Sequence, residues 1–115
     1  MAAEYDITIE QGATFQLTLV WKDQDDVAVD LTGYTARMQV RHKYNSEEPW
    51  LNFTTENGAI ILGGALGTVE VTGLATLTDD VPAKTGVYDL ELVSPTGFVK
   101  RLIQGQVTVS PEVTK

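Results

Sequence analysis

Between Thr85 and Val93 the chain reads T-G-V-Y-D-L-E-L-V. In an extended backbone Tyr88, Leu90 and Leu92 fall on one side, and Val87, Asp89 and Glu91 fall on the other. That period of two marks a strand with one buried face and one wet face. A half-buried strand needs neighbours to complete its ladder and a second layer to cover its apolar side. The rest of the sequence therefore has to supply more strands, and it does.

Tyr5, Ile7 and Ile9 alternate with Asp6, Thr8 and Glu10 until Gln11-Gly12 interrupts them. Phe15, Leu17, Leu19 and Trp21 then alternate with Thr14, Gln16, Thr18 and Val20. Asp23-Gln24-Asp25-Asp26 has turn chemistry, because short acidic and amide side chains cap their own backbone. After an extended piece from Val27 to Leu31, a long strand is expected from Tyr34 to Lys43. Ala36, Met38, Val40 and His42 share one of its faces. Trp50 to Thr55 carries apolar groups on both faces. Asn57-Gly58 is expected to join it to Ala59–Leu62 as a hairpin. Gly63-Gly64-Ala65-Leu66-Gly67 is expected to be a flexible link. Val69 and Val71 face inward in the next strand, and Thr78-Asp79-Asp80 is expected to cap one helical turn before Pro82. Ser94-Pro95-Thr96-Gly97 turns the chain into a last strand from Phe98 to Val109, with a bulge expected at Gly105.

These are about nine extended segments with turn signals every ~8–12 residues, and no segment keeps a helical period. Gly86 precedes Tyr88 by two residues, after the turn Pro82-Ala83-Lys84-Thr85. That arrangement resembles the tyrosine corner of immunoglobulin-like sandwiches, although Leu90 stands where antibody domains carry a cysteine. The expected fold is all-β, an immunoglobulin-like antiparallel β-sandwich formed by residues 1–115 as a single domain. Its core should hold Ile7, Phe15, Leu17, Leu19, Trp21, Met38, Val40, Val69, Tyr88, Leu90 and Leu92. The Tyr88 hydroxyl should bond back to the preceding turn.

Composition narrows the function. A chain of this length buries about 65% of its unfolded surface, enough to fold without staples. Cysteine is absent, which removes disulfides, thiolate metal sites and a thiol nucleophile. The formal charge is −8, from 16 acids against 8 bases, so phosphate backbones are repelled and no nucleic-acid partner is expected. Met1-Ala2-Ala3-Glu4 lacks a positive leader region. The apolar run Ala59–Leu62 is far shorter than the ~20 residues that span a bilayer, so no membrane insertion is expected.

Candidate sites are few. His42 is the single histidine, too little for a catalytic triad or a zinc centre, and it reads as a residue at a strand end. The aspartates of Asp23–Asp26 lack the glycine and the final glutamate of a calcium loop, so no metal is expected. The glycine-rich run 63–67 lacks the Lys-Ser/Thr of a phosphate loop, and no cofactor is expected. Arg37, Arg41 and Lys43 share a strand face, either as a basic stripe for an acidic partner or as cross-strand partners of Asp89 and Glu91. Scattered carboxylates do not make a glycosidase, so no enzyme activity is expected. Tyr44, Trp50 and Phe53 are the candidate subunit or partner contacts, with sugar stacking as the competing role. Trp50 and Phe53 fall on opposite faces of one strand, so one of them should be exposed.

Four blocks carry a resemblance: ITIEQGATFQLTLVWKD, DLTGYTARMQVR, GVYDLEL and RLIQGQVTVSPEVTK. In their order they resemble the immunoglobulin-like β-sandwich proteins of tailed-bacteriophage tails. These are tail-collar and fibre-attachment proteins, and the N-terminal domains of baseplate receptor-binding proteins. The resemblance implies a structural virion protein, made in the host cytoplasm and then resident in the virion tail. Its partners would be tail-tube, baseplate or fibre proteins and copies of itself in a ring or cluster. It implies no cofactor and no catalytic residue. A head-decoration or head-fibre module, or a carbohydrate-binding sandwich used in adsorption, are the alternatives.

Overall fold

The computed structural model describes residues 3–113. Met1-Ala2 of the leader reading and Thr114-Lys115 of the last resemblance block lie outside the described residues. The strands are β1 (Ala3–Glu4), β2 (Ile7–Glu10), β3 (Phe15–Val20), β4 (Thr35–Arg41), β5 (Leu51–Thr54), β6 (Ile60–Leu62), β7 (Thr68–Gly73), β8 (Thr85–Val93) and β9 (Val99–Ser110), with one helical turn, α1 (Ala75–Thr78). They form two sheets. One runs β1-β9-β8-β4-β5 with β2 also on β9, and the other runs β3-β7-β6. The order β9-β8-β4-β5 over β3-β7-β6 is that of the G-F-C-C′ and B-E-D strands of an immunoglobulin-like sandwich. All pairings are antiparallel except those of β1 and β2, which run parallel to β9.

The alternation that makes β8 a strand also fills the core. Tyr88, Leu90 and Leu92 are buried between the sheets with Met38 and Val40 of β4, Phe53 of β5 and Val69 and Val71 of β7. Ile7 and Phe15 are buried with them, while Leu17, Leu19 and Trp21 are only partly covered. Phe15 and Phe53 stack across the two layers with centroids 6.2 Å apart. Gly73 lies against this pair, where an added Cβ would stand 3.0 Å from the Phe53 ring.

Several local expectations are corrected. Asn57-Gly58 does not close a hairpin, because β5 pairs with β4 while β6 pairs with β7 in the other sheet. It carries the chain between layers instead. The Asn57 carboxamide accepts from the Thr54 and Ala59 amides and donates to the Asn52 carbonyl. Those are the backbone groups a ladder would otherwise serve. The run 63–67 is an ordered 3-10 turn, Gly64–Leu66, ended by Gly67 at φ 68°. The helical turn precedes the Thr78-Asp79-Asp80 cap expected for it. Thr78 is its buried last residue, and its hydroxyl donates to the Ala13 carbonyl. The bulge in β9 lies at Leu102, since Leu90 faces Ile103 and Glu91 faces Arg101.

Gly105 has another purpose. An added Cβ there would stand 2.3 Å from the Tyr5 carbonyl oxygen. The Tyr5 carbonyl turns inward between β1 and β2 and accepts the Tyr88 hydroxyl. Tyr88 is thus buried as expected, but its hydroxyl ties the first strand to β8 rather than closing a corner on the 82–85 turn. The Asp6 carboxylate accepts from the Gln106 amide beside this kink, serving a donor at the interrupted ladder.

Candidate interaction surfaces

Three parts of the surface are built well enough to act on a partner. The first is the outer face of the larger sheet, where the side chains opposite the core form a polar lattice. The Arg37 guanidinium donates to Glu91 at 2.8 Å, across the register that pairs those residues. Arg101 meets Asp89 at 3.4 Å and donates to Gln104, which in turn donates to Glu4. Arg41 donates to Gln39 and to the Ser46 carbonyl. A shallow groove of about 570 Å³ runs over Arg41, Val87, Asp89 and Arg101. Partial burial, with Glu91 adding to it, raises the Asp89 carboxyl above its usual range, and Arg101 opposes that shift. Two of the bases here, Arg37 and Arg101, are thus matched to acids. Cross-strand pairing accounts for Arg37, Asp89 is met by Arg101 of β9 rather than by a base of β4, and Arg41 is taken up by neutral acceptors.

The second surface is the end that carries the loops after β3, β6 and β8. The D-L-T-G-Y motif builds one of them. The Asp30 carboxylate accepts from the Thr32 hydroxyl at 2.6 Å and from its amide at 3.0 Å, bonds that hold its pKa below the usual carboxylate range. Leu31 is buried, and its amide donates to the Gly64 carbonyl at 2.9 Å, locking the first loop to the second. The Trp21 amide donates to Gly67 at 2.8 Å, and Tyr34 sets its ring edge-on to Trp21. Gly33, at φ 82°, lies against the Pro95 ring of the third loop. The three loops therefore form one fixed platform. It presents Val27, Leu66 and Phe98, which are 58%, 70% and 68% exposed. Large apolar side chains next to turn signals are what points to these positions in the sequence, and no single strand period joins them.

The third surface is the opposite rim, where the structure places the sequence-derived contact residues. It does not bring them together. Phe53 is fully buried in the core, and Trp50 is partly buried over Gly86, with the His42 ring stacked on it at 5.5 Å. The expectation that one of the two aromatics stands exposed fails, because Trp50 precedes β5 and folds over the end of the sandwich. Tyr44 alone of the three is largely exposed, at 87%. These rings form no stacking platform for a sugar. His42 does lie at the strand end, its Nδ1 3.0 Å from the Thr85 carbonyl. Asp23 spends its carboxylate on the Asp25 and Val27 amides of its own turn. Among the described residues no group of three His, Cys, Asp or Glu side chains is placed to hold a metal ion.

The sequence matches no family profile and no curated protein. Among solved structures it is similar to the extracellular domain of the voltage-gated sodium channel beta4 subunit, described as forming parallel homodimers that explain a role in cell–cell adhesion. That likeness has a TM-score of 0.48 at 11% identity, over 98% of this chain and 96% of the other. The strand order itself is what makes this chain an immunoglobulin-like, all-β sandwich.

Proposed function

We propose that this chain is a structural protein of a tailed bacteriophage particle, docked on the collar, baseplate or fibre-attachment region of the tail in repeated copies. The observation that carries the reading is the fixed loop platform bearing Val27, Leu66 and Phe98. The loop backbones that carry them are fixed by hydrogen bonds within and between the loops and by the Gly33–Pro95 contact. Little backbone entropy is therefore lost on docking, which favours a protein partner. The sequence resemblance supplies the setting. Its D-L-T-G-Y block builds one side of this platform.

The test is made on purified particles, by quantifying the chain against the tail-tube protein and locating it with a label. Several copies on the tail are expected. Leu66→Asp and Phe98→Asp should fold normally and fail to incorporate. Absence from particles, or a single copy in each, would overturn the reading, and a label on the head would reassign the chain to head decoration.

A further inference from the structure

We infer that the open edge of β3 is a pairing site for β3 of a second copy of this chain, the two strands running antiparallel about a two-fold axis through Thr18. This stands independently of the virion reading. β3 pairs only with β7 among the described residues. The Trp21 amide bonds to the Gly67 carbonyl, which fixes the alternation along the ladder. Positions 15, 17, 19 and 21 bond inward to β7, and Gln16, Thr18 and Val20 aim their amides and carbonyls outward, away from it.

Nothing on this edge discourages a partner strand. Soluble proteins usually blunt such edges with charge, proline or a bulge. In a chain of net charge −8, residues 11–21 hold no charged side chain and no proline. β3 keeps an unbroken register with β7 over all six residues. The other edge of the same sheet, β6, has only three residues, too few for a firm ladder.

The edge is also self-complementary. With Thr18 facing its own copy, Gln16 faces Val20, and each facing pair can exchange two main-chain bonds. Threonine opposite threonine is a favourable cross-strand pair. Leu17 and Leu19 point toward the core yet stay only partly buried at this open side, and the partner's leucines would complete their cover. The two three-stranded sheets would become one continuous sheet. Glu70, the nearest charge, sits beside Thr18 on β7. Across the join its copy lies three strand spacings away, about 14 Å, beyond the ~8 Å screening length of physiological salt.

Sedimentation velocity on the isolated chain in physiological salt tests this. The dimer fraction should rise with concentration, and the Gln16, Thr18 and Val20 amides should gain protection from hydrogen exchange together with it. Thr18→Lys and Thr18→Glu should each weaken dimerisation about tenfold or more by setting like charges opposite each other. An equimolar mixture of the two should restore it, which a folding defect could not do. Ile61→Lys on the β6 edge should leave the dimer intact. A wild-type chain that stays monomeric at every concentration overturns the inference. So does a dimer that survives both Thr18 variants or is lost with Ile61→Lys.

Discussion

The Tyr88 hydroxyl donates to the Tyr5 carbonyl, joining residues 83 positions apart in the chain. It is the point at which the first strand, held otherwise by its ladder to β9, is fastened to the centre of the larger sheet. The hydroxyl and the carbonyl are each other's partners in a buried setting. Tyr88→Phe should therefore cost about 1–3 kcal/mol, because the inward carbonyl keeps its desolvation and loses its donor. Chemical denaturation gives the measurement, and an unchanged midpoint would show that the carbonyl turns back to solvent at no cost.

Gly105→Ala attacks the same kink from the other side. A Cβ cannot stand 2.3 Å from the Tyr5 carbonyl oxygen, so the first strand must shift. The expected loss is about 1–3 kcal/mol, typical of overpacking against atoms that do not yield. Once the strand has shifted, Tyr88 has no carbonyl to reach. The double variant with Tyr88→Phe should lose less than the sum of the two, and a double-mutant cycle measures the difference. Strict additivity would mean that the two sites are uncoupled.

The same bond predicts a loss of stability in alkali. Burial raises the Tyr88 phenol well above the ordinary tyrosine range, with Tyr5, Asp6 and Glu4 adding to the shift. The folded chain then holds its proton where the unfolded chain, with a pKa near ~10, has released it. The contribution is fully present below about pH 10 and falls as pH rises beyond it. Midpoints measured between neutral and strongly alkaline pH should decline above that value, and Tyr88→Phe should flatten the decline.

Phe53→Ala should be the most damaging of these changes. The ring is fully buried and spans the layers to Phe15 at 6.2 Å. Removing it should cost about 3–5 kcal/mol, the sum of lost transfer energy and an unfilled cavity. A small effect in thermal or chemical unfolding would mean that the layers close over the gap.

Glu91→Gln should do little by comparison. The Arg37–Glu91 pair is short, at 2.8 Å, but the arginine side chain is 54% exposed. A loss under about 1 kcal/mol that shrinks further in added salt is expected in the same unfolding assay.

Strand periodicity made the layers legible. The alternations from Phe15 to Trp21, from Tyr34 to Lys43 and from Thr85 to Val93 each mark a real strand, and the Arg37–Glu91 pairing follows from two of them. Local chemistry misled where it fits two topologies. Asn57-Gly58 turns a chain equally well within a sheet or between sheets, and the choice is made by Phe53 and Ile60 entering one core from opposite layers. Parity puts Trp50 and Phe53 on opposite faces of one strand, but β5 begins only at Leu51, one residue after Trp50, so parity does not reach it. Tyr88 was placed in the core by its neighbours, but its acceptor is remote in sequence and no local pattern names it. The loop platform was hidden for a related reason. Val27 and Phe98 each open a separate expected extended segment and Leu66 lies in the glycine-rich link, so no single period joins the three. The contacts between the loops bring them to one end.

The parallel ladder between the first strands and β9 has a mechanical consequence. Ile7–Glu10 runs alongside Val107–Ser110 in the same direction. Tension pulling β2 from its leading end and β9 from its trailing end acts along the strands in opposite senses. The rungs lie across that line of force, so they resist in shear and must rupture together instead of peeling apart one by one. Gly105 and Tyr88 hold the upper end of the same ladder in place. Tugged through these two strands, the sandwich is a stiff link that yields abruptly, whereas a hairpin such as β8–β9, pulled open from one end, would unzip.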